Sequence, residues 1–208
     1  MKHKELREEL AETLRRMAAG GLVLGAAGNV SARAGELVAV SPSRLWYETL
    51  GPEDVCLVEA GGQRVEGPQP SVELPLHLAL LAARPEIGAV VHTHSPYATA
   101  LSCVLDEIPV VEPEQAAFVG GSVPVAAYAP SGTAAAGDAV VAAAGARRAV
   151  VIRNHGPVCL GGDLAAALAC AFAVEENARI YALARLQDEP SLLPDEEVER
   201  LKGPRSSR

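Results

Sequence analysis

Aromatic residues make up only 3% of the 208-residue chain: one Trp, two Phe and four Tyr. A core so short of rings must be packed from Ala, Val and Leu. No Lys/Arg cluster or basic stripe interrupts a formal net charge of −8, which argues against a nucleic-acid footprint and against docking on an anionic membrane. No stretch reaches the roughly 18 uninterrupted apolar residues of a spanning helix. The opening residues, MKHKELREELAETLRR, read as a charged amphipathic helix and not as a secretory signal. Cys56, Cys103, Cys159 and Cys170 form no C-x-x-C pair and lie mostly in apolar runs, so they read as reduced, buried and structural. A cytoplasmic setting follows by elimination. Neither G-x-x-x-x-G-K nor G-x-G-x-x-G occurs, so GAAGNV is not a nucleotide-binding loop.

What is present is an apolar half, 49% of the chain, enough for one core and one domain. Leu6, Leu10, Leu14 and Met17 recur at helical spacing until Gly20-Gly21. Gly28-Asn29 suits a tight turn, 37–40 a strand, and 55–66 a hairpin about Gly61-Gly62. Ser71 caps an expected helix over 72–83, which Pro85 ends. Residues 87–94, 123–128 and 149–154 read as strands. Helices are expected from Ser95-Pro96, over 134–144, and from Asp163 to about 187. Strands and helices alternate irregularly, which predicts a layered α/β domain over 1–187 with a mixed or antiparallel sheet. Residues 188–208 read as a charged, proline-containing tail, partly disordered.

His92 and His94 alternate at the end of an expected strand, so both rings leave one face, with Cβ atoms about 7 Å apart. Two imidazoles so placed can converge on one cation. They can equally be strand-end groups bonded to loop backbone. His155 lies just past a second apolar strand, where Gly156 permits a sharp turn toward the same cleft. Glu73, near a helix start, reads as either a first-turn carboxylate favoured by the helix dipole or an acid/base. Three imidazoles and one carboxylate together make a tetrahedral zinc site. His77, four residues from Glu73, can pair with it on one helix face, though a structural role is favoured. His3 belongs to a terminus expected to fray.

GNVSAR (28–33), SPS (41–43), PSVELPLH (70–77), AVVHTHSPYATALS (89–102), RNHGPV (153–158) and VEENARI (174–180) occur in an order that resembles the class II aldolase/adducin-head family. Within it they are most similar to the enzymes that cleave L-fuculose 1-phosphate, and the likeness covers roughly residues 10–185. The resemblance implies a three-layer fold with a central, mostly antiparallel sheet flanked by helices. It implies one Zn2+ per subunit, or Mn2+ or Co2+ in its place, held by His92, His94, His155 and Glu73, with Glu73 as acid/base. It implies a phosphate pocket of Gly28, Asn29, Ser43, Arg44 and Ser71, and a homotetramer acting on a small-molecule sugar phosphate.

The chain departs from the family's pattern. Ala26 and Ala27 stand where Thr is frequent, Arg44 where Gly is, and Val72 where a second Ser is. The segment IPVVEPEQAA and the tail lack the tyrosines of fuculose-phosphate enzymes; Glu112 or Glu114 is a conceivable substitute. These departures keep a metal-dependent decarboxylase, dehydratase or epimerase of a sugar or sugar-acid phosphate as an alternative. An adducin-like interaction module is the non-enzyme alternative.

Overall fold

The computed structural model describes residues 1–202; the disorder expected at the chain's end concerns 203–208, outside the described residues. The strands are β1 (Asn29–Ala34), β2 (Leu37–Val40), β3 (Cys56–Glu59), β4 (Arg64–Glu66), β5 (Ala89–His92), β6 (Glu107–Ile108), β7 (Val123–Ala126), β8 (Ala149–Ile152) and β9 (Gly156–Gly161). The helices are α1 (Lys4–Ala19), α2 (Leu74–Ala83), α3 (Pro96–Ser102), α4 (Ala134–Ala144), α5 (Leu164–Arg185) and α6 (Asp195–Leu201). All strands join one sheet in the order β4-β3-β2-β1-β5-β9-β8-β7-β6. Every neighbouring pair is antiparallel except β7 with β8. The mostly antiparallel, helix-flanked sheet is the expected one.

Side-chain alternation divides the apolar residues between two cores. Ala39, Ala89, Val91, Ala149 and Val151 face one core with Leu10, Leu14 and Met17 of α1, Leu101 of α3 and Leu168 and Val174 of α5. Val38, Val40, Val90, Val150 and Ile152 face the other, with Leu76 and Leu80 of α2 and Val140 of α4. Small Ala and Val side chains on the strands let helices pack closely on both faces, offsetting the scarcity of rings. Among the described residues no helix is long and apolar enough to cross a membrane.

The structure departs from the sequence expectation at several boundaries. NVSARA, where only the Gly28-Asn29 turn is expected, is strand β1. GPVCLG, to which no element is assigned beyond the turn at Gly156, is β9, with all six residues buried. Its opening Gly-Pro disguised it, because proline in a central strand is disfavoured. Helix α2 starts at Leu74, with Glu73 at its N-cap, and Ser71 Oγ accepts the Glu73 N–H at 3.2 Å one turn earlier. Strand β5 ends at His92, two residues sooner than expected. Cys56, Cys159 and Cys170 are buried, but Cys103 is exposed. In the expected tail, α6 docks Val198 against Val110 and Ala116.

Arg7, 1% exposed, ties α1 to the rest. Its guanidinium donates to Pro52 O and Val55 O, each at 2.8 Å, and to Glu66 Oε1 at 2.5 Å. Glu66 is a third exposed, so the ion pair itself contributes little. Arg7→Ala removes the donor to the buried Val55 O and one of two donors to Pro52 O, which the Val55 N–H also reaches at 3.3 Å, at a cost of about 1–3 kcal/mol. Urea unfolding is expected to show the loss as a lower midpoint at unchanged slope, and an unmoved midpoint contradicts this role.

Candidate metal centre

The centre is built where β1 runs alongside α2. Val30, Ala32 and Ala34 turn into the α1 and α5 core, so alternation sends Asn29, Ser31 and Arg33 to the α2 side. Each meets that helix. Asn29 Nδ2 donates to Glu73 Oε2 at 2.8 Å, and Ser31 Oγ contacts His77 Nδ1 at 2.7 Å. Arg33 donates to Leu81 O at 2.5 Å and Ile87 O at 2.7 Å, closing the helix's C-terminal end. Pairing of Asn29 with His92 then brings β5 to the same place. Gly28 precedes Asn29 with φ 75°, and a Cβ there would stand 2.6 Å from His92 O, so only glycine fits this turn.

His92 lies on the α2 face because Val91 before it faces the opposite core. His155 arrives from the turn between β8 and β9, where Asn154 adopts φ 59° and Gly156 φ 155°. The Asn154 N–H donates to Ser102 Oγ at 3.0 Å, which anchors that turn on α3. His94 follows β5, its N–H donating to Leu22 O at 3.1 Å.

The three Nε2 atoms lie 3.3 Å (His92 and His155), 3.2 Å (His92 and His94) and 3.1 Å (His94 and His155) apart. Glu73 Oε2 is 3.3 Å from His92 Nε2, and Oε1 is 3.5 Å from His155 Nε2. A tetrahedral zinc with ligands at about 2.0–2.2 Å needs edges of about 3.3–3.6 Å. The three imidazole nitrogens lie close to such edges, and with a Glu73 oxygen all four donors fall within 4.8 Å of one another, a set that could hold one divalent cation. Their second partners fit as well. His92 Nδ1 lies 2.8 Å from Pro157 O, which can only accept, so this nitrogen carries the proton and Nε2 offers a lone pair.

Electrostatics prepares the same donor set. Burial, helped by His92 and His155, pushes the His94 pKa down to about 4. Burial and His92 lower His155 too. Burial would raise Glu73, but bonds and charge from His92, the Asn29 amide and His155 outweigh it and hold the carboxyl well below its usual range. Unprotonated imidazoles and an ionised carboxylate are the ligand forms a cation requires.

Beside the cluster is a pocket of about 250 Å3 lined by Gly28, Asn29, Ser43, Arg44, Ser71, Glu73, His94 and His155, all residues singled out in the sequence. His92 stands behind, fully buried. Tyr47 OH donates to Gly28 O at 2.6 Å and steadies the wall. The Ser43 and Ser71 N–H groups are already bonded, to Gln69 O at 2.9 Å and Ser41 O at 3.0 Å. At these two positions the hydroxyls, not the amides, are left to donate to an anion. Arg44 adopts φ 62° on the pocket rim. Ser131 joins the lining from the loop before α4, a contribution that sequence reading missed because a lone Ser in PSG carries no signal. Glu112 and Glu114 are not among the lining residues; they lie together before the π-helical turn Gln115–Val119, where burial and Glu114 push Glu112 up to about 7. His77 does not pair with Glu73 directly; Asn29 stands between them.

A nine-stranded α/β layer carries a cluster of three histidines and one carboxylate that could hold a metal ion, over a hydroxyl-lined pocket. A profile of the class II aldolase and adducin N-terminal domain matches residues 8–182. A 5-methylthioribulose-1-phosphate/5-deoxyribulose-1-phosphate aldolase of Rhodospirillum rubrum is 37% identical over 94% of this chain and 89% of its own. A 5-deoxy-D-ribulose 1-phosphate aldolase of Bacillus thuringiensis is 39% identical over 94% and 92%. Among solved structures, an L-fuculose 1-phosphate aldolase superposes with a TM-score of 0.91 at 33% identity, covering 97% of this chain and 96% of that one. The chain belongs to the class II aldolase and adducin family, and it is a lyase of the class II aldolase type.

Two outcomes follow from this geometry. A Cβ on Gly156 would lie 2.1 Å from Thr93 O. Gly156→Ala is therefore expected to displace His155, costing at least about 2 kcal/mol and most of the bound metal; wild-type metal content in that variant contradicts it. His94 and His77, whose ordinary pKa is 6.5, titrate near 4 and 3 in the folded chain. The unfolded chain thus takes up protons below about pH 6.5 that the folded chain refuses. The metal-free protein should lose stability as pH falls from about 6.5 toward 4, and a urea midpoint constant from pH 7 to 5 rules this out.

Proposed function

We propose that this chain is a zinc-dependent sugar-phosphate aldolase that reversibly cleaves a ketose 1-phosphate to dihydroxyacetone phosphate and an aldehyde. The observation that carries the proposal is the cluster of three imidazole nitrogens and a carboxylate within 4.8 Å of one another, opening on a pocket of hydroxyls and one guanidinium. His92, His94, His155 and Glu73 would hold the cation. Three nitrogens and one oxygen at this spacing suit zinc, with Mn2+ or Co2+ as substitutes. Relatives named for 5-deoxyribulose, methylthioribulose and fuculose phosphates support the substrate class. A homotetramer in the cytoplasm, with the catalytic domain over 1–187, belongs to the same reading.

A bound divalent cation would supply Lewis-acid stabilisation of negative charge on substrate oxygen, worth several kcal/mol. The protein's own groups do the rest. Ser43, Arg44 and Ser71 bind the phosphate, with Gly28 and Asn29 forming the adjoining wall. Arg44 offers the bidentate donor that the missing hydroxyls do not. The C4 hydroxyl passes its proton to Glu73, the C3–C4 electron pair moves onto the substrate's carbonyl group, and the aldehyde forms. Glu73, held by the Asn29 amide, returns a proton to C3. In synthesis the same carboxylate removes it.

Arg44 also favours a second reading, because a guanidinium on the rim can take a substrate carboxylate. A decarboxylase of a sugar-acid phosphate is that alternative.

A panel of ketose 1-phosphates and oxo-acid phosphates, assayed with and without chelator, separates the two readings. The aldolase reading expects dihydroxyacetone phosphate from the former; carbon dioxide from the latter alone refutes it. Glu73→Gln should keep metal while kcat falls by about 10²–10⁴. His92→Ala and His155→Ala should lose metal on elemental analysis, and full occupancy in either removes it from the ligand set.

A further inference from the structure

His77 is a wholly buried histidine for which the chemistry above has no use. Its ring bridges two groups on β1. Nδ1 lies 2.7 Å from Ser31 Oγ, and Nε2 lies 2.5 Å from Asn29 Oδ1. Asn29 in turn donates from Nδ2 to Glu73 Oε2 at 2.8 Å. Ser31, Asn29 and Glu73 are buried too, which leaves water little room to replace any of these contacts.

The direction of every bond in this chain is determined. An ionised Glu73 only accepts, so Asn29 must turn its NH2 toward it. Asn29 Oδ1 then faces His77 and also only accepts, so His77 Nε2 must carry a proton. Burial holds the ring neutral, with a pKa pushed down to about 3. Nδ1 is therefore a lone pair, and the Ser31 hydroxyl must be its donor. Without an Nε2–H from His77, Asn29 Oδ1 would lose its buried donor, and only the Glu73 carboxylate would be left to hold the amide in this orientation. A flipped amide would set Oδ1 against the carboxylate, acceptor against acceptor.

We infer that Ser31 and His77 are positioning residues: through the amide of Asn29 they aim the Glu73 carboxylate at the reacting centre. The inference rests on the reading of Glu73 as metal ligand and acid/base. Neither residue touches substrate. Their work is to keep Glu73 in one place whether it faces the cation or the substrate carbon. A group that orients a metal ligand in this way is worth about 10–100-fold in affinity or activity.

The test uses the full chain, stripped of metal and reloaded with Co2+, whose visible absorption reports the ligand set without any substrate. Glu73→Gln gives the spectrum of a repositioned or lost carboxylate ligand. His77→Phe keeps a ring but no hydrogen bond, whereas His77→Gln can donate to Asn29 and accept from Ser31. The expected result is a His77→Phe spectrum moved toward that of Glu73→Gln, with kcat down about 10–100-fold and KM within about threefold. His77→Gln should recover most of both. Should His77→Phe fail to fold, Ser31→Ala removes one hydroxyl from the same chain and should lower kcat by about 3–10-fold, on the scale of one hydrogen bond.

A His77→Phe protein with wild-type spectrum and kcat overturns the inference, as does an unchanged Ser31→Ala. So does a His77→Gln protein as impaired as His77→Phe, because packing and not bond direction would then be at stake. Failure of the wild-type chain to bind Co2+ is a different result: it removes the metal reading itself, and the positioning role falls with it.

Discussion

The polar seam between β1 and α2 is the contact on which the centre depends. Asn29, Ser31 and Arg33 lie on one side of a six-residue strand, and each is bonded to α2 or to the turns at its ends. The opposite side of the strand is apolar and packs into the α1 and α5 core. A strand has period two, so a one-residue slip would send the polar stripe into that core and leave α2 unattached. Register, helix placement and the position of Glu73 are therefore one constraint. The same register pairs Asn29 with His92, so the carboxylate and the first imidazole are located by a single strand.

This coupling accounts for how a centre of four lone-pair donors can exist in a buried place. Metal-free, these groups repel one another and are desolvated, a costly arrangement unless each has a second partner. The second partners are backbone and side chains of rigid elements: Pro157 O of β9 for His92, the Asn29 amide for Glu73, and the α3-anchored turn for His155. The folding energy of two apolar cores holds the donors together in advance. A cation bound there would have little rearrangement to drive.

Much of this was legible in the sequence, and the remainder failed for identifiable reasons. The H-x-H at a strand end, the N-H-G after an apolar run and the carboxylate at a helix start each carried a local pattern, and the structure gathers all four donors. The family resemblance added what spacing alone left open, namely that three separate segments meet. β1 was missed although it alternates polar and apolar residues with period two, because its start at Asn29 is absorbed in the reading of Gly28-Asn29 as a turn within a Gly-rich passage. β9 was missed because it opens with Gly-Pro. The bond from Asn29 to His77 had no local signature, since residues 48 apart in sequence meet only through sheet register. For His77 the sequence favours a structural role, with a helix-face pair to Glu73 allowed by the i, i+4 spacing. Asn29 takes that place because the ring turns toward β1.

The division between centre and rim bears on substrate identity. The donors and their partners stand on β1, α2, β5 and the β8–β9 turn, elements that cannot shift without disturbing a core. The rest of the pocket comes from loops: Ala26 and Ala27, Pro42 to Arg44, Val72 and Ser131. All the departures from the family's pattern that touch this pocket fall in the second set, where Ala26, Ala27, Arg44 and Val72 replace the more usual residues. Loops tolerate such exchange because few buried contacts depend on them. Proton transfer beside a cation needs the first set, whichever aldehyde leaves. Selection among ketose phosphates needs only the second. A chain can therefore keep its chemistry while its substrate drifts, and the relatives, named for fuculose, deoxyribulose and methylthioribulose phosphates, differ in that respect. Arg44 stands on the rim with this second set, so on the proposed reading it would bear on which substrate the pocket holds and not on the proton transfer assigned to Glu73.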